Sequence, residues 1–134
     1  MNENILLIDD ELSILQLEER MLGSLGYRTT TRTSSVEALE LFRNKPDEFD
    51  LVVTDHSMPN MTGSKLAEAM VAIRPDIPII LCTGFFELDI SKQTEGKIVR
   101  RIIMKPVDKK KLAAAIRHEL DPKTDGENPP EVAG

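Results

Sequence analysis

Leu51-Val52-Val53-Thr54-Asp55 is the stretch that decides the fold. Its apolar residues are consecutive rather than alternating, so a strand made from them buries both faces, as parallel sheets covered by helices require. The same form recurs along the chain. Ile5-Leu6-Leu7-Ile8 runs into Asp9-Asp10, Ile77 to Cys82 runs into Thr83, and Ile102-Ile103-Met104 runs into Lys105. Arg28 to Thr33 reads as a further strand. Its β-branched threonines suit an edge, where hydroxyls tolerate water.

Segments of helical period separate these runs. Ile14, Leu17, Met21 and Leu25 form one stripe, predicted to pack on the sheet, with Gly26 where a helix ends. Val36 to Phe42 predicts a second helix, capped by Ser34 or Ser35 and ended before Pro46. Ser64 to Ile73 predicts a third, closed by Arg74-Pro75, and Leu88 to Thr94 a short fourth. The last starts after Asp108, with Leu112, Ile116 and Leu120 on one face. Five βα units in this order leave the open doubly wound α/β sheet as the expected architecture.

The 134 residues, 40% hydrophobic and 30% charged, can bury one core and exclude disorder of the whole. Cys82 is the only cysteine, which excludes an internal disulfide and a cysteine-cluster metal site. No run approaches the roughly 20 apolar residues of a membrane span, and the start lacks a signal peptide's pattern, so a cytoplasmic protein is expected. A net charge of -6 argues against direct DNA binding. Residues 1–120 read as the domain. Residues 121–134, with three prolines, two glycines and almost no apolar side chain, read as a flexible acidic tail.

The chemistry lies where strands end. In a parallel sheet, Asp9, Asp10, Asp55, Thr83 and Lys105 all reach one edge, where open α/β sheets bind ligands. Three close carboxylates repel, and a hard divalent cation relieves that repulsion: Mg²⁺, or Mn²⁺, takes oxygen ligands and is usually held with phosphate oxygens. A lysine and a hydroxyl beside it complete a phosphoryl site. No Ser, Cys or His nucleophile is evident, so a carboxylate is the natural attacking group, giving an aspartyl phosphate. Asp55 stands alone at a central strand's end and fits that part, while the adjacent Asp9 and Asp10 suit the metal.

These motifs, in this order, identify a resemblance. Asp9-Asp10-Glu11, the nine-residue string Asp55-His56-Ser57-Met58-Pro59-Asn60-Met61-Thr62-Gly63, Leu81-Cys82-Thr83-Gly84 and Met104-Lys105-Pro106 resemble the receiver domain of two-component response regulators, over essentially residues 4–120. The resemblance implies a flavodoxin-like (βα)5 sheet of strand order 2-1-3-4-5. It implies that Asp55 is the phosphoacceptor, charged by a histidine kinase or phosphotransfer histidine. Asp10, Asp55 and the Ser57 backbone carbonyl would ligate Mg²⁺, with Asp9 acting through water. Thr83 would be the switch hydroxyl and Lys105 the phosphoryl-pairing lysine. The Lys105-Pro106 peptide would be cis.

One departure stands out: the family often carries an aromatic switch residue three positions before the lysine, and here that position is Ile102. Signalling would then rest more on the 84–96 segment, where Phe85 and Phe86 are expected to anchor the loop. His56 is expected to point away from Asp55, and Cys82 to be a small core residue. Leu15 and Leu22, off the predicted stripe, would suit contact with a kinase's helical bundle. Residues 92–117 hold nine basic residues against Glu95 and Asp108, a surface that would suit a downstream partner. A monomer or weak dimer is expected, a non-enzyme save for self-catalysed phosphotransfer and dephosphorylation, free-standing or part of a hybrid kinase. Two other readings are a phosphate-independent adapter and an aspartyl-phosphate phosphatase of the haloacid dehalogenase type. The latter family's Asp-x-Asp pattern after the first strand is absent from Leu7-Ile8-Asp9-Asp10-Glu11-Leu12.

Overall fold

A computed structural model describes residues 3–84 and 92–121. Five parallel strands form one sheet in the order β2-β1-β3-β4-β5: β1 (Asn4–Ile8), β2 (Arg28–Arg32), β3 (Leu51–Asp55), β4 (Ile79–Thr83) and β5 (Arg101–Met104). The described helices are α1 (Leu12–Ser24), α2 (Ser35–Asn44), α3 (Gly63–Ile73) and α4 (Lys109–Leu120). This is the expected doubly wound, flavodoxin-like order. The expected short helix over Leu88–Thr94 falls largely outside the described residues, as do Phe85, Phe86 and the tail from 122. Among the described residues no helix is long and apolar enough to cross a membrane.

Strand alternation divides the core into two layers. Leu6, Ile8, Val52, Ile79 and Leu81 face α2 and α3, where Phe42, Leu66 and Met70 pack against them. Ile5, Leu7, Val53, Ile80 and Cys82 face α1 and α4, against Leu15, Leu22, Leu112 and Ile116. Consecutive apolar residues in β1, β3 and β4 are buried on both sides, as their sequence requires. Caps follow the sequence too. Ser34 accepts from the Glu37 N–H, Thr62 from the Lys65 N–H and Asp108 from the Lys110 N–H, and Gly26, at φ 94°, turns the chain out of α1.

Two expectations need correction. Leu15 and Leu22 are not a docking face: both are buried on the sheet, whereas Leu17 of the predicted stripe is 54% exposed. The buried side of α1 lies about one position away from that stripe. Leu15, Glu18 and Leu22 therefore point inward. Second, β5 is an edge strand covered less completely than its apolar run suggests, and Met104 is exposed.

Candidate functional site

The carboxyl ends of β1, β3, β4 and β5 bring the predicted residues together. Asp9, Asp10 and Asp55 each offer a carboxylate oxygen, and these oxygens all lie within 4.8 Å of one another. Asp9 and Asp55 are buried, Asp10 exposed, so the cluster opens to solvent on one side. Lys105 Nζ sits 2.5 Å from Asp55 Oδ1. The Lys105-Pro106 peptide is cis, as the resemblance implied, and the Lys105 N–H donates to the Thr83 carbonyl at 2.9 Å. Thr83 is fully buried, one residue beyond Cys82, which pairs with Asp55 across β3 and β4. Ser57 lies exposed two residues after Asp55.

The electrostatics carry the mark of crowding. Burial, partly countered by the Glu11 N–H, and the neighbouring carboxylates push Asp9 up to about 6. Burial alone would push Lys105 down, but the Asp55 contact and the charge of Asp9 reverse this and raise it. A cluster of this composition, all oxygen and short of positive charge, fits a hard divalent cation such as Mg²⁺. Three carboxylates with one ammonium can hold a cation and a phosphoryl group together; without them the site favours protonation instead.

The loop from Asp55 to Gly63 is shaped by close approach. Its tight turn is closed by the Met61 N–H on the Pro59 carbonyl at 2.8 Å, with Asn60 in the left-handed region at φ 71°, which asparagine tolerates. Gly63 then lies so close to the Asp55 carbonyl that a Cβ there would overlap it, and would also meet Leu81 Cδ1 at 2.8 Å. Its N–H donates to the His56 carbonyl at 2.8 Å. The glycine thus lets α3 start directly against the end of β3.

His56 is buried with Nδ1 3.0 Å from Ser64 Oγ, a structural contact with the start of α3 rather than a part of the acidic cluster. Ile102, at the position of the missing aromatic, is half-buried against the α2–α3 core, and its N–H donates to Glu95 Oε2 at 3.2 Å. Sequence reading missed Glu18. This carboxylate is 4% exposed on the inner face of α1, where burial and the charge of Asp9 push it up to about 7. Its signal was a glutamate spaced three and four residues from two leucines, Leu15 and Leu22.

Comparison with known proteins agrees with this geometry. The response regulator receiver domain family matches residues 5–117. A two-component response regulator, ORR24 of Oryza sativa subsp. japonica, is 31% identical over 87% of this chain and 18% of its own length. The sensor kinase CckA of Brucella abortus is 32% identical over 87% of this chain and 12% of its own. The chain thus spans less than a fifth of either relative. Among solved structures, a response regulator receiver domain protein from Clostridium thermocellum superposes with a TM-score of 0.87 at 31% identity, covering 91% of this chain and 97% of that one. A CheY-like receiver domain protein from Methanospirillum hungatei gives 0.82 at 30% identity, covering 90% and 95%. Matched in sequence, topology and acidic pocket, the chain belongs to the response regulator receiver domain family of two-component systems.

Proposed function

We propose that Asp55 accepts a phosphoryl group from the phosphohistidine of a histidine kinase or phosphotransfer protein, and that the added charge switches binding of a downstream partner. The observation that carries this reading is the convergence of Asp9, Asp10 and Asp55 within 4.8 Å with Lys105 held on Asp55. Asp10, Asp55 and the Ser57 carbonyl would hold Mg²⁺, with Asp9 acting through water. The ion supplies positive charge against the phosphoryl oxygens when bound.

The chain's own residues do the rest. An Asp55 carboxylate oxygen attacks phosphorus as the phosphorus–nitrogen bond to the donor histidine breaks; the electron pair stays on the imidazole, which takes a proton from solvent. Lys105 neutralises charge on the transferred group, and the Thr83 hydroxyl donates to one of its oxygens. Because Ile102 packs into the core, the switch passes through the backbone after β4 rather than through an aromatic side chain. The exposed basic residues Lys97, Arg100, Lys109, Lys110, Lys111 and Arg117 lie on the side of β5 and α4 and support an output surface there.

The test is incubation with acetyl phosphate and Mg²⁺ followed by intact mass. One phosphoryl group per chain is expected, absent with EDTA and absent in Asp55→Asn. Full labelling of Asp55→Asn would place the acceptor elsewhere. No labelling, with no binding of fluoroberyllate, would return the phosphate-independent adapter reading.

A further inference from the structure

Glu18 occupies a position that calls for an apolar residue. It lies on α1 between Leu15 and Leu22, which pack on the sheet, and is as buried as they are. A carboxylate taken from water is strongly disfavoured unless a cation or donors compensate. Among the described residues no hydrogen bond or ion pair reaches its carboxylate, and the one cation whose charge bears on it is Lys105.

The geometry shows how the two are linked. A groove of about 410 Å³ separates α1 from the loop after β5. Ile14, Leu17 and Met21 line one wall, Pro106 and Val107 the other, and Glu18 and Lys105 are its charged members. Lys105 is therefore common to the groove and to the Asp55 contact at 2.5 Å. Lys105 is thus in direct contact with Asp55 at the end of β3, while Glu18 inside α1 shares the groove with it and feels its charge without an ion pair.

We infer that Glu18 is a positioning residue for the phosphoacceptor site, acting through Lys105: its charge draws the lysine toward the α1 groove and loosens its hold on Asp55. Asp55 is then freer to attack, and Lys105 freer to follow the charge onto the phosphoryl group. This rests on the phosphotransfer reading for its consequence, not for the contact itself.

The experiment has two arms, run at about pH 8, where a carboxyl near 7 is mostly ionised. In the unphosphorylated protein, ¹³C relaxation of Lys105 Cε in wild type, Glu18→Gln and Glu18→Leu reads how tightly the lysine is held. Both variants are expected to show a more restricted Lys105, fastened to Asp55 alone. With acetyl phosphate and Mg²⁺, the maximal labelling rate is expected to fall about threefold to tenfold in both, with KM not raised. In a Lys105→Ala background, Glu18→Gln is expected to change that rate less than about twofold, because the residue acts through the lysine. Unchanged Lys105 relaxation in both variants would overturn the inference, and so would equal slowing with and without Lys105. Wild-type protein that takes up no phosphoryl group would overturn the phosphotransfer reading, while the relaxation arm would still decide this one.

Discussion

The two faces of the sheet are built to different rules. On the α2–α3 face the helices bury only small or apolar side chains, and Phe42 stacks with Phe49 at 6.4 Å between ring centroids. On the α1–α4 face a carboxylate, Glu18, sits in the same buried stripe as Leu15 and Leu22. The first arrangement maximises apolar burial. The second sets a carboxyl group among apolar side chains, where the charges of Asp9 and Lys105 bear on it. Stability is thus concentrated on the α2–α3 face, and the buried ionisable helix residue on the α1–α4 face.

The largest effect should come from the apolar face. Phe42→Ala should cost about 3–5 kcal/mol, read by denaturant unfolding, because it opens a cavity in a fully buried cluster. A cost under about 1 kcal/mol would break the contrast between the faces. Gly63→Ala should come next, at about 2–3 kcal/mol, since the new Cβ meets the Asp55 backbone and either α3 or β3 must move. It should also slow labelling, which Phe42→Ala should not do in the fraction that remains folded.

Glu18→Leu should work in the opposite direction. Its carboxyl is near 7 when folded and 4.5 when exposed, so the folded state binds the proton more tightly and wild type loses stability as pH rises from about 4.5 to 7. The leucine variant should therefore be more stable than wild type by on the order of 2 kcal/mol at about pH 8, with a smaller gain at about pH 5. Thermal unfolding at the two pH values checks the sign; a gain that is larger at pH 5 contradicts it. The smallest effect is Ser64→Ala, about 1 kcal/mol from loss of the His56 contact, with labelling unchanged. Slower labelling there would give His56 a part in the chemistry.

Much of this was legible in the sequence, for reasons that differ by residue. Asp9, Asp10, Asp55, Thr83 and Lys105 were found because a carboxylate, hydroxyl or lysine directly after an apolar strand has one place to go in a parallel sheet. The phase of α1 was misread because Ile14-Leu17-Met21 and Leu15-Glu18-Leu22 both satisfy helical spacing, and hydropathy assigns a glutamate outward. Packing against the sheet buries the second stripe, and local spacing does not show that choice. The exposure of Met104 was hidden because an apolar run does not reveal that its strand lies at an edge. The need for glycine at position 63 arises from contact with Asp55, eight residues earlier, and spacing alone does not show such an approach.

The carboxylate that takes the phosphoryl group is identified by phosphorylating the protein with acetyl phosphate and Mg²⁺, trapping the product with borohydride, and mapping the modified residue by peptide sequencing. Reduction of an aspartyl phosphate leaves homoserine, which is expected at position 55. Homoserine at position 9 or 10, or none in a sample whose intact mass shows the phosphoryl group, would contradict Asp55 as the acceptor.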